Sequence, residues 1–173
     1  VYGTDASFSN ATDEAPFIAG DNINLTADVT TTAARAIESL RIDGSTANTL
    51  DISAGALTIG TGGAQNEDAG IILTGGNATI TGSTITTGGT ALGNGGIVIR
   101  VDGASNTLTV NSAIQHSAQD GDFILNGEGT LEIGGLLSLD GTGDEISLLG
   151  SSTLVLGTGC LLYTSDAADD CWS

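Results

Sequence analysis

Basic residues are almost absent from this sequence. Arg35, Arg41 and Arg100 stand against 21 acidic residues, and the formal net charge is −18. Nucleic-acid binding needs clustered cations that displace phosphate counterions, so this balance excludes a nucleic-acid partner. The same repulsion disfavours an anionic membrane surface. No apolar run approaches the roughly 20 residues that span a bilayer, so we expect no membrane insertion of this segment.

Cysteine is confined to the C-terminal end, at Cys160 and Cys171. Residues 1–159 therefore hold neither a disulfide scaffold nor a cysteine zinc site. The composition changes at the same point, and the run 161–170 resembles translated sequencing-adapter text. We treat residues 160–173 as a non-biological tail without a disulfide, and residues 1–159 as one domain cut from a longer protein.

Apolar and polar residues alternate over short runs throughout the domain, which is the period of a β-strand. The pattern predicts about a dozen strands of roughly three to six residues and almost no helix. The residues predicted to face inward are Ile37, Leu40, Ile42, Leu50, Ile52, Leu57, Ile59, Ile71, Leu73, Ala78, Ile80, Ile85, Ile97, Ile99, Val101, Leu108, Val110, Ile124, Leu131, Ile133, Leu137, Leu139, Ile146, Leu148, Leu154 and Leu156.

Two all-β architectures fit this pattern. Asx-Gly pairs such as Asp43-Gly44 and Asn126-Gly127 form hairpin turns, which favours an antiparallel β-sandwich. A sandwich core is normally filled by large side chains, and aromatic residues make up only 3% of this chain. Small aliphatic side chains suit stacked coils instead, and Asx-Gly also forms their tight corners.

The predicted fold is therefore an all-β, right-handed parallel β-helix, with the sandwich as the alternative. The apolar set returns about every 20 residues, at Leu57, Ile80 and Ile99, which sets the predicted coil length. Coils about 4.8 Å apart would form a rod roughly 30 to 40 Å long. A fragment cut at both ends exposes unpaired strand edges, so we expect end-to-end self-association.

Several segments resemble bacterial proteins that carry autotransporter-associated β-strand repeats: 37–44, 49–52, 56–60, 78–85, 96–101 and 106–114. Residues 125–134 resemble the repeat core, L-x-K-x-G-x-G-T-L-x-L-x-G, although its Lys is missing. The Asn-Thr-Tyr-Thr-Gly run that usually follows is replaced by residues 135–140.

The resemblance implies a non-catalytic stem or adhesive passenger at the bacterial cell surface or secreted. Such a passenger is exported across the outer membrane through a barrel outside this chain. Its partners would be surface glycans or proteins of a host or of the environment. The family offers no catalytic residues to carry over, so we assign no catalytic, cofactor-binding or metal-ligating residue and expect no cofactor.

The alternative function is a fragment of a carbohydrate-active or carbohydrate-binding β-helix. Glycan hydrolysis needs two carboxylates about 5 to 10 Å apart, and Asp51, Asp102 and Glu132 are candidates at exposed strand positions. A lyase needs a base beside a calcium cluster, for which Arg100 next to Asp102 is the candidate. We interpret His116, the single histidine, as a loop residue. No aromatic residues flank these groups, so we expect no enzyme activity.

Two acidic turns are candidates for calcium, which takes several oxygen ligands. They contain Asp140 with Asp144, and Asp120 with Asp122. Each occurs once, whereas a calcium β-roll repeats its ligands about every nine residues. We therefore expect solvated acidic turns.

A group of threonines raises an ice-binding interpretation, which requires flat Thr ranks on successive coils. Threonine is also a favoured strand residue, so we expect an ordinary strand surface. The group assigned to one face is Thr79, Thr81, Thr84, Thr86 and Thr87.

Overall fold

The computed structural model describes residues 8–61, 69–88, 96–115, 122–139, 144–160 and 162–164. This part of the chain forms nineteen short β-strands and no helix. The strands are β1 (Phe8–Ala11), β2 (Asn22–Leu25), β3 (Val29–Thr30), β4 (Arg35–Ile37), β5 (Ser39–Asp43), β6 (Thr49–Ile52), β7 (Leu57–Ile59), β8 (Ala69–Thr74), β9 (Ala78–Gly82), β10 (Thr84–Thr87), β11 (Ile97–Val101), β12 (Thr107–Val110), β13 (Ala113–Gln115), β14 (Phe123–Gly127), β15 (Thr130–Ile133), β16 (Leu137–Leu139), β17 (Ile146–Leu148), β18 (Thr153–Leu156) and β19 (Leu162–Thr164).

The strands form three parallel sheets. The first sheet has the order β1-β2-β5-β8-β11-β14-β17, the second β3-β6-β9-β12-β15-β18, and the third β4-β7-β10-β13-β16-β19. From β2 onward the chain visits the three sheets in turn, so each coil stacks on the one before it. The predicted parallel β-helix is confirmed.

The antiparallel sandwich is wrong because the Asx-Gly pairs do not reverse the chain. Asp43-Gly44, Asp102-Gly103 and Asn126-Gly127 each follow or end a strand of the first sheet and lead into the second. Gly103 and Gly127 have φ angles of 90° and 111°, a left-handed conformation that glycine adopts without steric cost. The same sequence signal therefore marks a solenoid corner here.

Aliphatic side chains fill the interior as ladders that run along the solenoid. In the first sheet, Leu40, Ile71, Ile99 and Leu125 are in register on successive strands, and all are fully buried. Each one packs about 4.8 Å above its predecessor. The equivalent ladders are Leu50, Ile80, Val110 and Ile133 in the second sheet, and Leu57, Ile85, Ile114 and Leu137 in the third.

The predicted number of strands is too low, and the three residues used to predict the coil length are not equivalent, although several coils are close to the predicted length. Leu57, Ile80 and Ile99 lie in the third, second and first sheets, so they are not equivalent positions. From β2 onward, true register partners lie 17 to 31 residues apart: Ile23 to Leu40 is 17 residues, Leu108 to Leu131 is 23, and Leu40 to Ile71 is 31. A coil holds three strands separated by corners, which is why the described strands outnumber the predicted dozen.

The predicted inward-facing set is correct except at one strand and at the last coil. Ile124 points outward, because its neighbours Phe123 and Leu125 are the buried pair. All three residues are apolar, so alternation alone could not choose between the two faces. In the last coil, three predicted core residues are substantially exposed: Ile146 at 39%, Leu148 at 51% and Leu156 at 46%.

The third sheet continues into the segment predicted to be a tail. β19 pairs with β16, with Leu162 in register with Leu137, and Cys160 packs partly buried against the core. Cys160 forms no disulfide within the described residues, and Cys171 lies outside them. The division at residue 159 stays a prediction. In the portion of the chain that is described, no helix is long and apolar enough to cross a membrane.

Candidate functional site

The outer face of the first sheet carries two of the three arginines. One residue from each of the first six strands of this sheet forms a continuous outward row, in which Ile72 lies between the two basic residues and asparagines flank them. The row is Asn10, Asn24, Arg41, Ile72, Arg100 and Asn126.

A hollow of about 210 Å³ lies on this face. Ile72 and Val98 provide its apolar floor, and Arg100 and Asn126 provide its polar wall. Gly70 lies in register with Val98, so the strand β8 contributes no side chain at that point. The hollow therefore exists because glycine occupies an outward strand position.

A second hollow of about 410 Å³ adjoins the first and shares Arg100 and Asn126 with it. Asp102, Glu128 and Ser151 line it with carboxylate and hydroxyl groups. It lies where successive coils turn from the first sheet to the second. Together the two hollows place an apolar floor, a guanidinium, an amide and two carboxylates on one surface.

Only part of the Arg100 guanidinium has a hydrogen-bond partner. Its Nε atom donates to Asp102 Oδ1 at 2.6 Å, and the two side chains are 49% and 39% exposed. Within the described residues, its Nη atoms make no hydrogen bond or ion pair. Asn126 Oδ1 accepts a hydrogen bond from the Gly127 N–H at 2.6 Å, which fixes this amide at the junction of the hollows.

The carboxylates singled out in the sequence do not converge. Asp51 and Glu132 both lie in the second sheet, on β6 and β15, three strands apart in the sheet order. Three spacings amount to about 14 Å, beyond the range for a hydrolytic pair. Asp102 lies at a corner with Glu128 nearby in the second hollow, a neighbour that the strand pattern gave no reason to choose.

Asp51 has a structural role in its own turn. Its Oδ1 accepts hydrogen bonds from the Ser53 hydroxyl and from the Ser53 N–H at 2.8 Å. These hydrogen bonds lower the pKa of the Asp51 carboxyl below its usual value. The carboxylate stabilises the corner that follows β6.

The threonines assigned to one face lie on two. Thr79 and Thr81 belong to the second sheet, and Thr84, Thr86 and Thr87 belong to the third. Gly82 and Ser83 turn the chain between them, and Thr87 is buried. The Thr ranks that do form on the second sheet are Thr49-Thr79-Thr109, which continues as Glu132, and Thr107-Thr130-Thr153.

Only two of the four acidic residues proposed for calcium lie within the described ranges. Asp122 is exposed and Asp144 is half-buried, whereas Asp120, Asp140 and His116 lie outside the described residues. In the described ranges, no three His, Cys, Asp or Glu residues form a group that could hold a metal ion.

Glu14 joins the segment before β2 to the first complete coil. Its carboxylate accepts hydrogen bonds from the Thr32 N–H at 2.7 Å and from the Thr32 hydroxyl, and it contacts Arg35 Nε and Nη2 at 3.0 and 2.8 Å. Phe17, three residues later, is only 3% exposed and belongs to the core. The segment therefore closes the core at this end. Sequence pattern missed it because it contains no regular strand period.

The Thr32 hydrogen bonds, followed by those from Arg35, lower the pKa of Glu14 to about 2. We expect this interaction to stabilise the fold above about pH 4.5 and to be lost as the pH falls toward 2, because protonation then removes the charge that only the folded state favours. The melting temperature of Glu14→Gln should lie below that of the parent at pH 7, and the gap should shrink toward pH 2.

Asp13→Asn is the matched control for this prediction. It removes a negative charge from the same segment, and its carboxylate accepts a hydrogen bond from the Ala15 N–H at 2.9 Å, within that segment. Its effect on the melting temperature should be small. The stabilising role of the Glu14 carboxylate would be contradicted if the difference in melting temperature between the parent and Glu14→Gln stayed constant from pH 7 to 2.

The two ends of the solenoid differ. The last coil leaves five large apolar side chains between 39% and 51% exposed: Ile146, Leu148, Leu149, Val155 and Leu156. Ile146 and Leu148 are in register with the buried Phe123 and Leu125, so they occupy core positions without a covering coil among the described residues.

Comparison of the chain with family models, with curated proteins and with solved structures finds no match.

Proposed function

We propose that this chain is a non-catalytic structural segment, a stem with adhesive sides, of a surface-exposed or secreted bacterial passenger protein exported across the outer membrane. One observation supports this best: all three parallel sheets run from coil to coil through the described residues without a break in pairing. The resemblance of residues 37–134 to autotransporter-associated repeats is consistent with the same function.

Uninterrupted pairing makes a stiff element. Because neighbouring strands belong to successive coils, their backbone hydrogen bonds run along the axis of the solenoid. The seven strands of the first sheet give six spacings, or a length of about 29 Å. Each coil is stabilised by its neighbours, so adding coils lengthens the rod without changing its cross-section.

The acidic sides of the solenoid and the apolar edge of its last coil are both consistent with a segment of a longer rod. With a net charge of −18, acidic sides repel one another and stay solvated. The exposed apolar edge of the last coil has the composition of a core layer, and a further coil would bury it. Weak contacts repeated along such a rod would provide adhesion.

Sequencing the genomic DNA across both ends of this reading frame tests the passenger proposal. We expect further coils after residue 159 and a C-terminal membrane anchor. A frame that stops at Ser173 in genuine genomic sequence, or that leads into a catalytic module, would contradict it.

The exposed apolar edge of the last coil predicts that the chain associates with itself. We expect the isolated chain to associate through Leu148 and Leu156 as its concentration rises, because these side chains are 51% and 46% exposed on strands that pair with no further coil among the described residues. Sedimentation velocity should show larger species for the parent and a monomer for the double variant Leu148→Lys, Leu156→Lys. Thr109→Lys, on the side of the second sheet, should associate like the parent. A monomeric parent at several hundred micromolar would disprove this.

A further inference from the structure

We infer that the hollow beside Arg100, on the outer face of the first sheet, binds an oligosaccharide that carries a uronic-acid carboxylate. The inference concerns a ligand site and does not depend on the stem function, since a stem can carry such a site or lack it.

Gly70 lies at an outward position inside strand β8. Glycine inside a strand marks a bulge, a bend, or a place where a ligand or another backbone approaches closely. Here β8 pairs in regular register with both neighbours, and Gly70 has no positive φ angle. A Cβ atom built on Gly70 would meet only the Ser39 Cβ, at an ordinary 3.7 Å. Neither turn geometry nor packing requires glycine at this position, and the missing side chain leaves room for a ligand beside the strand.

The floor of the hollow is the second observation. Ile72 and Val98 are aliphatic residues at outward strand positions on neighbouring strands, and Ile124 extends the patch on the next strand. Ile72 is only 7% exposed, so Val98 and Ile124, which are half-buried, supply most of the accessible apolar surface. An apolar patch of this kind suits the C–H face of a pyranose ring, which is apolar while its edges are polar.

Arg100 supplies the charge complementarity. Its Nε atom binds Asp102, and its Nη atoms are unpartnered among the described residues. A guanidinium presents parallel N–H donors that match the two oxygens of a carboxylate. Among the described residues that line the two hollows, Arg100 is the one cation, so its Nη donors are the groups that distinguish a carboxylate-bearing ligand from a neutral one.

The second hollow supplies the partners for hydroxyl groups. Asn126 joins the two hollows and offers an amide, while Asp102, Glu128 and Ser151 offer carboxylate and hydroxyl oxygens. Acceptors and donors arranged beside a guanidinium match a sugar that bears both hydroxyls and a carboxylate. The surrounding acidic surface repels densely charged polyanions, so the site favours short oligosaccharides.

Isothermal titration with tri-galacturonic acid tests the site directly, with the neutral trisaccharide maltotriose as the comparison. Arg100→Gln should weaken binding of tri-galacturonic acid roughly 10- to 100-fold, the range for losing a hydrogen bond to a charged group. Gly70→Val should abolish binding, because its side chain fills the hollow.

Arg41→Gln is the matched control, since it removes the same charge from the same sheet face outside both hollows. It should retain binding to within a few-fold, and circular dichroism should show all three variants folded. The inference is overturned if the parent does not bind tri-galacturonic acid, if maltotriose binds equally well, or if Arg41→Gln and Arg100→Gln weaken binding alike.

Discussion

Replacing Gly127 with alanine should lower the free energy of unfolding by about 2 to 4 kcal/mol, because two costs combine at this corner. Gly127 has a φ angle of 111°, which side chains with a Cβ rarely adopt. The new Cβ would also lie 2.2 Å from the Val101 carbonyl oxygen of the preceding coil. That oxygen accepts hydrogen bonds from the N–H groups of Glu128 and Gly129, at 3.1 and 3.0 Å, so it cannot move away freely.

Gly70→Ala is the matched control for Gly127→Ala. Its Cβ would make only an ordinary 3.7 Å contact with the Ser39 Cβ and its backbone needs no left-handed conformation, so the change in the free energy of unfolding should stay within about 1 kcal/mol, in either direction. Denaturant unfolding followed by circular dichroism measures both. Equal losses for the two variants would contradict the corner geometry described here.

Replacing Ile99 with alanine should destabilise the fold by about 2 to 5 kcal/mol, the range for deleting a buried aliphatic side chain. Ile99 is fully buried between Ile71 and Leu125, at the centre of the first-sheet ladder. The cavity would be bounded by a backbone paired on both sides, which limits its collapse. Because each coil is stabilised by its neighbours, the loss should weaken the middle of the rod.

Ile124→Ala is the matched control for Ile99→Ala, because Ile124 lies on the outer face of the same sheet. It deletes the same atoms from the neighbouring strand, but Ile124 faces outward and is only half-buried, so the loss should stay near 1 kcal/mol or below. Thermal melts of the two variants compare the faces directly. A larger loss at Ile124 than at Ile99 would reverse the inward and outward assignments of the first sheet.

The fold could be predicted from the sequence because its main signals are local. Leu50 and Ile52, or Leu131 and Ile133, alternate with polar residues within one strand, and the scarcity of aromatic residues favours stacked coils. The coil length could not be read off, because equivalent residues such as Ile71 and Ile99 are separated by corners of variable length.

Which of Phe123, Ile124 and Leu125 face the core depends on the register with Ile97 and Ile99, which three consecutive apolar residues do not reveal.

The candidate sites were harder to predict for a related reason. Gly70, Ile72, Val98, Arg100 and Asn126 form one surface only because strands 26 to 28 residues apart are in register. Residue type alone suggests Asp51 and Glu132 as paired carboxylates, but the register places them on strands that are not neighbours.

The most direct test of a stiff stem is the distance between spin labels along its axis, measured by dipolar electron paramagnetic resonance after Cys160 and Cys171 are replaced by serine. Labels at positions 10 and 126 are separated by five strand spacings, about 24 Å, and labels at positions 24 and 126 by four, about 19 Å. We expect narrow distributions whose centres differ by one spacing. Broad distributions, or two centres that coincide, would contradict the rigid parallel β-helix on which the proposed function depends.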